Sequence, residues 1–112
     1  MTVISESGLL YKKIRLFLNS IDLLALCKKN KTPFYAYDLD EISRRVRVHK
    51  EAFSGKVDIH YAMKANSNLN VLESIRKEGA GVDVVSGGEL ETALEARYKP
   101  SDIIFSGVGK SV

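Results

Sequence analysis

Cysteine is nearly absent: Cys27 stands alone, which excludes an internal disulfide framework. It lies in "IDLLALCKK" and reads as a small buried apolar residue rather than a reactive thiol. No apolar run approaches the ~18 residues of a membrane span, so no membrane partner is expected. The opening "MTVISESGLL" lacks a basic segment followed by a long apolar one. No secretory signal is therefore expected, and the cytoplasm is the default location. "NKT" at 30–32 is then an incidental match to a glycosylation acceptor. Charge of one sign is also scarce. A net charge of +3, with no RRM, zinc-finger or basic-heptad pattern, gives no ground for nucleic-acid binding.

What is present is an ordinary globular balance, 45% hydrophobic and 28% charged, over 112 residues, enough for one small domain. From residue 32 the chain alternates short apolar runs with amphipathic ones. "PFYAY" (33–37) reads as a strand, and "DLDEISRRVRVHKEAF" (38–53) as a helix. Asp38 and Glu41 have the capping-box spacing that opens it. Leu39, Ile42, Val46, His49 and Phe53 share its apolar face, where His49 packs rather than catalyses. The Arg44, Arg45, Arg47 and Lys50 cluster reads as a solvated face that suits the helix dipole.

Strands over 56–64, 80–86 and 101–106 and helices over 68–79 and 87–98 continue the series, with Asn68 as a cap and Gly79 as a stop. Such alternation implies βαβ units on a parallel sheet. Ahead of the series, 9–18 reads as strand or loop and 20–30 as a short helix capped by Ser20. Four such units cannot close a barrel of eight strands. That leaves either a small open sheet or the front part of a larger enzyme, and the abrupt end at Val112 favours the second.

Within "IHYAMKAN" (59–66), alternation puts Val57, Ile59, Tyr61 and Met63 on one face and His60, Ala62 and Lys64 on the other. The first face suits covering helices. The second ends in an amine at the C-terminal end of the strand, where α/β barrels build active sites. The next strand places Asp83 and Val85 opposite Val82 and Val84, and an interior carboxylate there is costly unless paired. A neutral lysine amine can attack a carbonyl to give a Schiff base. A lysine ending a strand can equally snorkel to water, and both readings stay open on spacing alone. "GVGKS" (107–111) suggests a phosphate-binding P-loop, but that pattern needs a glycine where Ile104 stands.

"YAMKAN" (61–66) resembles the cofactor-lysine motif of fold type III pyridoxal-phosphate enzymes, the alanine racemase and basic amino-acid decarboxylase group. With "TPFYAYD" (32–38), "GAGVDVVSGGEL" (79–90) and "IIFSGVGKS" (103–111), in this order, the chain is similar to the diaminopimelate decarboxylase family. The resemblance covers most of residues 20–112. It implies an α/β fold: the N-terminal part of a TIM (β/α)8 barrel of the alanine racemase-like type, incomplete at about four βα units. It divides the chain into an N-terminal extension with a short helix (1–31) and a partial barrel domain (32–112), the C-terminal β domain being absent.

The resemblance further implies that Lys64 is the catalytic lysine joined to pyridoxal 5'-phosphate, with Asp83 and Glu89 also at the cofactor. For Glu89 a second reading stays open, because Ser86 and Glu89 form S-x-x-E, a capping box. His60 and Ala62 would line the interior beneath the cofactor, and Asn66 would hold the turn after the lysine. The implied activity is decarboxylation of meso-diaminopimelate to L-lysine by a longer parent, a homodimer, with this stretch inactive alone. Another racemase or decarboxylase of the same fold, or a non-catalytic remnant or module, is the alternative.

Overall fold

The computed structural model describes residues 8–110. They form two compact units, one ending at Glu41 and one beginning at Ile42.

In the first unit the stretch over 9–18 is a hairpin. β1 (Leu9–Lys12) pairs antiparallel with β2 (Arg15–Leu18), and β2 pairs in turn with β3 (Ile21–Asp22). α1 (Leu23–Lys29) follows. The expected cap Ser20 is replaced by Asp22, whose carboxylate accepts the Leu24 and Ala25 N–H groups at 3.0 and 3.3 Å. Pairing of β3 with β2 keeps the backbone extended through Asp22, so the helix opens two residues after Ser20. Cys27 is exposed, contrary to the apolar reading, because α1 buries none of its residues.

The expected strand over 33–37 is not formed. The chain there has no ladder partner among the described residues, Tyr35 is 88% exposed, and Tyr35 and Tyr37 stack on each other at 6.3 Å. α2 (Leu39–Ala52) then starts where its cap predicts, with Asp38 Oδ1 accepting the Asp40 and Glu41 N–H groups.

In the second unit α2 continues from Ile42 onto the sheet through Ile42 and Val46. His49 and Phe53 are exposed instead of packed: the helix dips toward the core over two turns only. β4 (His60–Ala62), β5 (Gly81–Val84) and β6 (Ile103–Phe105) form a parallel sheet in that order. α3 (Leu69–Lys77) joins β4 to β5, and α4 (Gly87–Glu95) joins β5 to β6. Asn68 caps α3 at 3.0 Å, and Gly79 ends it at φ +73°, a conformation glycine adopts without a Cβ penalty.

The helix-facing side of the sheet is the core. Met63, Leu72, Val82 and Val84 are fully buried with Ala93, Ala96 and Tyr98 around them. Each such aliphatic side chain contributes about 1.5–3 kcal/mol. A second cluster, Val71, Ile75 and Ala80, packs under α2, and Tyr61 touches both. The arrangement is an open portion of a (β/α) barrel, with the helices on one face and the inner face uncovered.

Candidate active site

Strand register fixes what faces the barrel interior. Ala62 pairs with Asp83, and Asp83 pairs with Ile104, so these three form one row across β4, β5 and β6. Their neighbours Tyr61, Val82 and Ile103 form the adjacent row and pack into the core. The alternation read from the sequence therefore holds for Asp83. Its row partners, a methyl group and an isoleucine, offer no proton donor. Accordingly Asp83 Oδ1 is buried without a hydrogen-bond partner. A buried acceptor in that state is costly unless something else supplies the donor.

Lys64 is two residues beyond Ala62, at the C-terminal end of β4. Alternation does not extend to it. The strand ends at Ala62, and Met63–Ala65 make a 3-10 turn closed by the Asn66 N–H to Met63 O bond of 3.1 Å. Met63 goes into the core at 0% exposure, whereas Lys64 is exposed. No hydrogen bond or ion pair holds the Lys64 amine among the described residues. The turn itself is tied down. Tyr61 Oη donates to Asn66 O at 3.2 Å, and Asn66 Oδ1 accepts the Asn68 N–H at 3.0 Å. Asn66 thus holds the turn, as read from the sequence.

The top of β5 is shaped by Glu89. Ser86 Oγ accepts the Glu89 N–H at 3.2 Å, and Glu89 Oε2 reaches back to accept the Val85 N–H at 2.8 Å. The capping box of S-x-x-E is formed, shifted by one residue from the usual Ncap N–H. From the other side, the loop after β6 closes on the same peptide. A Cβ at Gly107 would run into the Val85 carbonyl, so only glycine allows this approach.

Lys64, Asp83 and Glu89 therefore all belong to the C-terminal edge of the sheet. A cavity of about 390 Å³ lies at the opposite edge, lined by Lys50, Asp58, His60, Arg76 and Asp102, and takes in none of the three. The sequence reading puts Tyr61 on the helix-facing side without a role for its hydroxyl and gives Tyr98 no role at all. The signal was available, since a buried tyrosine ordinarily finds a partner for its hydroxyl.

A parallel sheet with helices on one face, an unengaged lysine just past the end of β4 and a carboxylate with one buried, unpartnered oxygen on β5 mark an α/β barrel domain. The model of the family "pyridoxal-dependent decarboxylase, pyridoxal binding domain" matches residues 39–112, and the chain belongs to that family. Among curated relatives, the diaminopimelate decarboxylase of Helicobacter pylori is 54% identical over 82 residues, covering 72% of this chain and 20% of its own length. That of Pseudomonas aeruginosa is 39% identical over 102 residues, covering 90% and 25%.

Solved structures agree. Diaminopimelate decarboxylase from M. jannaschii superposes with a TM-score of 0.87 at 34% identity, covering 95% of this chain and 26% of its own. The Helicobacter pylori enzyme complexed with L-lysine gives 0.70 at 46% identity, covering 80% and 23%. The chain spans about a fifth to a quarter of the length of the curated relatives it matches.

Proposed function

We propose that this chain is the cofactor-lysine portion of a cytoplasmic, homodimeric decarboxylase that converts meso-diaminopimelate to L-lysine, with further segments completing the barrel and a C-terminal β domain. The observation that carries the chemistry is Asp83 Oδ1, buried in a row with Ala62 and Ile104 and lacking a donor, together with the unengaged Lys64 in the turn that follows the neighbouring strand β4. The substrate is inferred from the relatives, which are named diaminopimelate decarboxylase and, in one solved structure, hold L-lysine.

The residues fit pyridoxal phosphate. Lys64 supplies the amine that holds it, and Asp83 supplies an acceptor for one of its proton-donating groups. Glu89 uses Oε2 on the Val85 N–H and leaves its other oxygen for the cofactor. Ala62 and Ile104 flank Asp83 with apolar surface that keeps water from its inner oxygen. When bound, the cofactor supplies an electron sink for the charge left on carbon by loss of carbon dioxide.

The test is borohydride reduction of the cofactor-loaded full-length protein followed by peptide mapping, with a separate, unreduced sample assayed for lysine released from meso-diaminopimelate. A tag on Lys64 and release of lysine are expected. A tag on another residue overturns the assignment of Lys64. Tagging at Lys64 with release from a different amino acid overturns the substrate.

A further inference from the structure

Lys64 is carried by a turn that has no packing of its own. Lys64 and Ala65 are both exposed, and only Met63 is anchored in the core. What spans the turn is Tyr61. Its ring is held between the two core clusters, and its hydroxyl donates to Asn66 O, the far end of the turn, at 3.2 Å. The hydroxyl thus bridges the residues on either side of Met63, Lys64 and Ala65. Asn66 passes the constraint on, through Oδ1 to the Asn68 N–H, and Asn68 caps α3 through the Asn70 N–H.

We infer that Tyr61 is a positioning residue: its hydroxyl fixes the Lys64 turn so that the amine meets the cofactor in one geometry. This rests on the reading of Lys64 as the cofactor lysine. The bond ties the C-terminal side of the turn directly to β4. Removing it frees the far end of the turn from β4 and leaves Asn66 tied only to Met63 O and, through Asn68, to α3, so the lysine Cα gains freedom. Misplacement by about 1 Å can cost on the order of a hundredfold in a reacting geometry.

The fold itself provides a control. Tyr98 makes the same kind of bond, hydroxyl to the Leu72 carbonyl at 3.0 Å, in the same core but to α3 rather than to the Lys64 turn. Tyr61→Phe and Tyr98→Phe each delete one such hydroxyl and keep the ring. A role in stability alone predicts similar behaviour for both.

The experiment compares wild type, Y61F and Y98F as the cofactor-loaded holoenzyme. It measures the pyridoxal phosphate dissociation constant, the rate of borohydride labelling of the Lys64 peptide, and the melting temperature. For Y61F we expect cofactor affinity and labelling rate each to change by about tenfold or more. Y98F should lower the melting temperature with both cofactor readouts within about twofold of wild type, well below the effect of misplacement. Equal cofactor readouts in Y61F and wild type overturn the inference while leaving Lys64 as the cofactor lysine. So do equal losses in Y61F and Y98F, which make the hydroxyl merely stabilising. A wild-type protein labelled elsewhere than Lys64 overturns the underlying reading and the inference with it.

Discussion

Tyr98 is 3% exposed, and burial pushes its phenol up from 10.0 to about 12, with the positive charge of Arg76 working against the shift and Tyr61 adding to it. The unfolded chain gives up this proton near pH 10.0, whereas the folded one keeps it until about 12. The associated stability is therefore complete below pH 10 and drains away as the pH rises toward 12. Urea unfolding followed across that range should show the loss in wild type, and a shallower one in Y98F. At neutral pH, Y98F should cost about 1 kcal/mol, the usual net value of one such hydrogen bond. A Y98F protein that follows the wild-type alkaline curve would assign the loss to other groups.

Asp83 is the residue-scale counterpart at the proposed site. Its buried Oδ1 is an acceptor without a donor, at a cost that a donor on the bound cofactor would offset. Asp83→Asn supplies its own N–H groups to the same position and keeps the size. Without cofactor it should be as stable as wild type or more so. With cofactor, its affinity should fall, read as a raised dissociation constant in fluorescence titration. Unchanged affinity would remove Asp83 from the site.

Among the elements, the β5–α4 connection concentrates several functions in few atoms. Ser86 caps the helix, Glu89 returns to the Val85 N–H, and Gly107 lets the next loop press on the Val85 carbonyl. Ser86→Ala should cost about 1 kcal/mol as an N-cap loss. Gly107→Ala should cost about 1–3 kcal/mol, because its Cβ meets backbone that cannot swing aside. Thermal unfolding of the two variants in the full-length protein checks both, and a neutral Gly107→Ala would mean that the loop after β6 is free to move.

This connection was largely legible from the sequence because capping chemistry is local: Ser86 before α4, Asp38 before α2 and Asn68 before α3 all cap as their spacing predicts, while Glu89 reaches Val85 instead of Ser86. Where the reading failed, the deciding partner was elsewhere. The stretch over 33–37 has the composition of a strand and lacks a ladder. Ser20 was displaced as a cap by the pairing of β3 with β2. The sequence reads Lys64 as the last residue of the strand, whereas β4 ends at Ala62 and a 3-10 turn carries the lysine just beyond it.

At the scale of the whole molecule, the helix-facing side of the sheet is finished and the inner side is not. Ten apolar residues are buried among those described, nearly all on the helix side. On the inner row Ile104 is 48% exposed and Val85, above Asp83, is 38% exposed. Among the described residues no strand pairs with the outer edges of β4 or β6, and unpaired edges invite pairing with other chains. A core of this size also leaves little surplus over the ordering entropy of a chain this long. The 112-residue chain taken alone should therefore melt broadly, without a cooperative transition, and should associate as concentration rises. Circular dichroism melts with sedimentation velocity at several concentrations check this. A sharp, concentration-independent transition of a monomer would show that the helix-side core suffices by itself, and that covering the inner face serves the chemistry of Lys64 and Asp83 rather than the fold.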